Sequence, residues 1–167
     1  MNDELPFYQL DGYPAQVTGP SVLARLLDGL GFRFHWATQG LTEQDYAFSP
    51  GQGCQSIGQL IEHIWGLTHW ISITVLGQEA VRPEASKEQR AHVLQMLHQL
   101  RERFLTLDDQ ALAAITIRGL PFWHLLNGPL ADALTHVGQI NVLRRLAGNP
   151  TPRASVFTGK PPGDKKP

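Results

Sequence analysis

The chain has 167 residues, a length that suits one domain and lets it bury roughly two-thirds of the surface its unfolded form exposes. A formal charge of -1, with acidic and basic residues interspersed, supplies no basic footprint for DNA or RNA, and no apolar run approaches transmembrane length. The acidic, proline-interrupted opening MNDELPFYQLDGYP lacks the layout of a signal peptide, and the single cysteine, Cys54, cannot close an internal disulfide. Together these imply a cytoplasmic protein with neither nucleic acid nor membrane among its partners.

Residues 1–20 carry Pro6, Gly12, Pro14, Gly19 and Pro20, which predict an irregular arm anchored by Phe7, Tyr8 and Tyr13. Ser21 reads as the N-cap of a first helix over 22–38, with apolar residues at 22, 23, 26, 27, 30 and 34 and a stop at Gly40. In the connector over 41–55, Pro50, Gly51 and Gly53 forbid regular structure, while Phe48 packs inward. Ser56 caps a second helix that reaches Leu76 and ends at Gly77. Its buried stripe is Ile57, Leu60, Ile61, Ile64, Thr68, Ile71 and Val75. A third helix begins near Ser86, whose spacing to Gln89 gives a capping box, and runs to Leu105 on Val93, Leu94, Met96, Leu97, Leu100 and Phe104.

Residues 107–129 form a long link, in which ALAAITIRGL reads as a short strand or turn and PFWHLLNG as a short helical piece or loop. A fourth helix spans 129–147, with Pro129 in its first turn, Gly148 as its stop and Pro150 beyond. Residues 149–167 are an irregular tail, and Lys160, Lys165 and Lys166 in it are solvated. Four long amphipathic segments without an internal repeat indicate an all-α four-helix bundle over 21–148, flanked by the two irregular arms. The long links mean that its topology need not be simple up-down-up-down.

The residues that carry chemistry fall on two of these helices. Asp132 and His136 are four positions apart, so they share a helix face and can grip one ion together. Leu130, Ala133, Leu134, Val137, Ile140, Asn141 and Arg144 mark the inward face beside them, and His63 lies on the matching flank of the second helix. Packing the two helices together brings all three polar groups to the edge of one core. His69, His92 and His98 read as surface groups and His35 as structural, whereas His124, between Trp123 and the fourth helix, is a candidate acid–base group. Trp65 and Trp70 read as core or dimer-interface packing and Cys54 as an inert thiol. Arg144 and Arg145 are expected to reach the C-terminal arm or a partner subunit.

The stretch HVGQINVLRRLAGNP from His136 to Pro150, the first-helix run ending near Gln39 and the Ser56…Leu60-x-x-His63 setting together resemble the DinB-like (DinB/YfiT) superfamily of small helical bundles over most of the chain. The resemblance implies a divalent metal held by a histidine on the second helix and a His-x-x-x-His pair on the late one. By position His63 is the first ligand and His136 the last, while Asp132 stands where the family has histidine. Zinc or nickel is expected foremost, with iron and manganese as alternatives, since two imidazoles and a carboxylate also match non-haem iron sites. The implied activity is that of a metal-dependent hydrolase or thiol-linked transferase acting on a small molecule. The competing class is a non-catalytic binding or stress-response bundle with a vestigial metal site. A homodimer is expected, from the proline-rich arms, the aromatics near the second helix and the dimers common among similar proteins.

Overall fold

Thr18 rather than Ser21 caps the first helix in the computed structural model, which describes residues 5–163. The acidic first residues and the charges of Lys165 and Lys166 lie outside the described residues. Helix α1 (Gly19–Thr38) starts earlier than the polar signal predicts because Pro20 suits a first turn. Thr18 Oγ1 accepts from the Ser21 N–H and Ser21 Oγ accepts from the Thr18 N–H, so Ser21 closes the capping box from its far side. Leu23, Leu27, Leu30 and Phe34 are buried as expected, but Val22 and Leu26 are 58% and 37% exposed. The buried face is rotated toward Asp28, Gly31 and His35, which a count of apolar residues passes over. Asp28 is held by Arg25 and Arg101, and at Gly31 a Cβ would stand only 2.5 Å from the Phe7 ring.

The connector holds a short helix, α2 (Glu43–Ala47), which breaker residues further along did not announce; its signal was Thr42 capping with Asp45 as the reciprocal partner. Helix α3 (Ile57–Leu76) has the predicted ends, with Ser56 and Gln59 forming the capping box and Gly77 at φ +64° closing it. Helix α4 (Ser86–Leu105) buries all six predicted core residues. The capping box expected at its start is not formed: Ser86 is already helical, and the Gln89 side chain is buried and donates to the Pro83 carbonyl.

The long link folds into α5 (Asp109–Ala113) and a two-residue hairpin, β1 (Thr116–Ile117) with β2 (Leu120–Pro121), turned by Arg118 and Gly119 at positive φ. It continues through α6 (Trp123–Leu125) and a kinked segment over Leu126–Leu130, non-helical at Gly128, into α7 (Ala131–Leu146). Pro129 therefore sits inside this kink and not in the first turn of an isolated helix. The chief long-helix contacts run from α1 to α4, α4 to α3, α3 to α7 and α7 back to α1. Chain-neighbouring α1 and α3 thus stand across from each other, and the connector has to be long to span them. No helix among the described residues is long and apolar enough to cross a membrane.

Both arms are tied to the body. Phe7 is buried, the Trp36 indole N–H donates to the Tyr8 carbonyl, and the Leu10 N–H donates to the Gly159 carbonyl, joining the two arms at 2.8 Å. Tyr13 is no anchor: it is 77% exposed and only carries the Arg25 guanidinium over its ring.

The C-terminus of α1 is closed by two buried arginines. Arg144 Nη1 donates to the carbonyls of Trp36, Ala37 and Gln39, while its Nε and Nη2 donate to the carbonyl and side-chain oxygen of Asn149. Arg90 donates to Thr38 Oγ1, the His35 carbonyl and Gln39 Oε1. Their positive charge sits where the helix dipole is negative. Asn149 also donates to Asp45; burial alone would raise that carboxyl, but the Thr42 backbone, the Asn149 and Thr42 side chains and the charge of Arg144 hold it below the usual range.

His35 is buried in the same region, its Nδ1–H donating to the Pro6 carbonyl at 3.0 Å. Burial pushes its pKa down to about 4, with the Pro6 hydrogen bond opposing and the Arg90 charge reinforcing the shift. A folded-state value below the unfolded one means stability that is fully present above about pH 6.5 and is lost as pH falls toward 4. The loss by pH 4.5 is expected to reach about 2 to 3 kcal/mol. Urea unfolding of wild type and His35→Gln at pH 7.5 and 4.5 checks this, and an equal acid loss in both proteins would refute it.

Candidate metal centre

Helices α3 and α7 pack together along their predicted apolar faces, so polar residues on the flank of each meet at the edge of the contact. Leu60 and Ile64 are buried on either side of His63, and Ala133 and Val137 are buried beside Asp132 and His136. The kink ahead of α7, where Gly128 leaves helical geometry at φ -89° and ψ -105° and Pro129 follows, sets which way the first turn carrying Asp132 faces.

Asp132 bridges the two imidazoles. Its Oδ2 is 3.1 Å from His63 Nε2, its Oδ1 is 3.2 Å from His136 Nε2, and the two rings meet edge to face with centroids 4.6 Å apart. One donor atom from each residue lies within 4.8 Å of the other two. Tetrahedral donors about 2.1 Å from an ion stand about 3.4 Å from one another, so this group accommodates one divalent cation with small side-chain shifts. Two imidazole nitrogens and one carboxylate oxygen are a donor set that zinc, nickel, iron and manganese all accept.

His136 is also oriented from behind. Its Nδ1 is 2.8 Å from Gln139 Oε1, and a proton held there for the amide oxygen leaves the Nε2 lone pair facing Asp132 and His63. The side chains of His63 and Asp132 are 43% and 44% exposed while that of His136 is 14% exposed, so a small molecule can reach the centre from the His63 side.

The structure brings together the three residues that the sequence nominates. His124 stays outside that group, exposed on α6. His98 is exposed, with its ring against the edge of Phe7, and His92 is half-buried. His69 is not a free surface group: its ring stacks on Trp65, and its Nε2 accepts the Ala80 N–H at 2.9 Å, which pins the turn after α3. Trp65 is buried, with an indole N–H that finds no partner among the described residues. Trp70 is half-buried beneath the Arg118 guanidinium. Arg144 reaches the C-terminal arm as expected, and Arg145 is exposed.

Two features escaped the sequence reading. Gln139 carried a usable signal, the His-x-x-Gln spacing that places i and i+3 on one face. Cys54 carried none, because only tertiary folding brings residues 53–55 alongside α7, where the thiol and His136 line one cavity. Set against known proteins, the chain matches no family model, no curated protein and no solved structure. The geometry of the triad therefore carries the functional reading.

Proposed function

We propose that the chain is a metal-dependent enzyme of the DinB/YfiT-like kind. In this reading it is a four-helix bundle in which His63, Asp132 and His136 hold one divalent cation, zinc or nickel foremost, for hydrolysis or thiol-linked group transfer on a small molecule. The observation that carries the proposal is the convergence of three donor atoms from two helices within 4.8 Å. The circuit of contacts among the four long helices supports the bundle, and HVGQINVLRRLAGNP supports the resemblance. Three protein donors, where structural zinc sites use four, are the pattern of catalytic centres. A divalent cation held there supplies Lewis acidity and lowers the pKa of a water or thiol that it binds. The protein's own part is to aim His136 through Gln139, to contribute the Asp132 charge and to admit substrate on the exposed His63 side. His124, exposed ahead of α7, is the candidate acid–base group.

One observation favours the competing reading. Without an ion, Asp132 already accepts a hydrogen bond from His63 and stands 3.2 Å from His136 Nε2, as a vestigial site in a binding or stress-response protein would. Metal analysis of protein purified without an affinity tag separates the two. His63→Ala and His136→Ala are each expected to abolish metal retention, whereas His69→Ala retains it, because the His69 Nε2 lone pair serves Ala80. Equal metal content in the wild type and both cluster variants would overturn the metal reading.

A further inference from the structure

The His136 ring has a second neighbourhood. It forms part of the wall of a half-open cavity of about 610 Å³ between residues 53–55, the start of α3 and the middle of α7. A cleft of this size suits a small molecule. Leu60, Val142 and Leu143 give it an apolar lining, Cys54 joins them, and no Lys, Arg, Asp or Glu among the described residues lines it. Gln55, Thr135 and Gln139 are its neutral polar groups; Gln139 Oε1 serves His136, which leaves the amide N–H donors for a ligand.

These properties select by charge. An anion entering an apolar cleft without a cationic partner loses hydration that nothing replaces, while each buried methylene of a neutral chain strengthens binding about fourfold. We propose that this cavity holds the body of the substrate, and that the substrate is an uncharged, largely apolar molecule with a carbonyl-type oxygen for Gln139 and its reactive group at the His63, Asp132 and His136 centre. The inference rests on the metal-centre reading and narrows it: a low-molecular-weight thiol bearing carboxylates finds no counter-charge in this cavity.

The test uses the full chain loaded with zinc and three hydroxamate probes, which chelate zinc through the same head group. Acetohydroxamate reports the metal centre alone, hexanohydroxamate adds an apolar chain, and adipic acid monohydroxamate carries a carboxylate at the far end of a similar chain. Calorimetric titration is expected to show hexanohydroxamate binding at least twentyfold tighter than acetohydroxamate, and the carboxylate-tipped probe losing at least tenfold of that gain. Hexanohydroxamate should also slow the reaction of Cys54 with a thiol reagent, and acetohydroxamate should not. Val142→Asp, a change at a position 52% exposed that folding tolerates, should erase the chain-length advantage and leave acetohydroxamate affinity unchanged. Acetohydroxamate binding with no effect of chain length or terminal charge overturns the cavity proposal alone. Failure of acetohydroxamate to bind overturns both it and the metal reading.

Discussion

Replacing Arg144 with Ala is expected to destabilise the fold by about 3 to 5 kcal/mol, because it removes a buried charge whose partners cannot find others. The side chain is 1% exposed and donates to three carbonyls at the end of α1 and to both oxygens of Asn149. Truncation strands those carbonyls in a dry interior, opens a cavity, and releases the Asn149 contact that leads on to Asp45. For a domain of this length a loss of that size lowers the melting temperature by about 10 °C or more. Arg144→Lys restores a charge without the planar fork, so it should recover less than half of the loss. Arg145→Ala, at the exposed neighbouring position, should change stability by under about 0.5 kcal/mol. Thermal or urea unfolding of the three variants reads all of this, and an Arg144→Ala protein within about 1 kcal/mol of wild type would contradict the account.

Arg144 shows where sequence reasoning succeeds and stops. Its position on the inward face of α7 and its reach toward the tail were legible from periodicity, but its burial against the end of α1 was not. That contact joins residues 105 and more positions apart. The same divide runs through the helix ends. Ser56 and Gly77 were read correctly because cap and stop are local devices. The start near Ser86 holds, but Ser21 and Ser86 are not the caps, because a serine one to three residues inside a helix looks, in sequence, like one just outside it. Val22 and Leu26 were assigned to the core because pattern counting rewards apolar residues, while the true inward face of α1 spends positions on Asp28, Gly31 and His35, whose partners come from other elements. For the site, the Asp132 and His136 pair was legible as an i and i+4 spacing and His63 from its flank position. Cys54 and the cavity wall were invisible, because they exist only once 53–55 lies beside α7.

Asp132 is the decisive residue for what this centre is, and chelation is expected to separate its two readings. A cation that binds only the folded protein stabilises it by mass action, about 2.7 kcal/mol when present at a hundred times its dissociation constant. Metal-loaded wild type should therefore melt about 5 to 10 °C higher than the same protein after chelation, and recover when metal is restored. Asp132→Ala removes the donor that faces both Nε2 atoms, so it should lose most of that difference. In chelated protein the same substitution should change the melting temperature little, because the carboxylate is 44% exposed and exposed ion pairs contribute at most about 1 kcal/mol. Asp132→His replaces a hard, charged oxygen with a neutral nitrogen. It should preserve binding while shifting preference toward zinc or nickel. A vestigial site predicts the reverse pattern, with no chelator-sensitive shift in wild type and the same small effect of Asp132→Ala under both conditions. A chelator-sensitive shift of equal size in wild type and Asp132→Ala would remove Asp132 from the ligand set and leave His63 and His136 to be completed by His124 or a water.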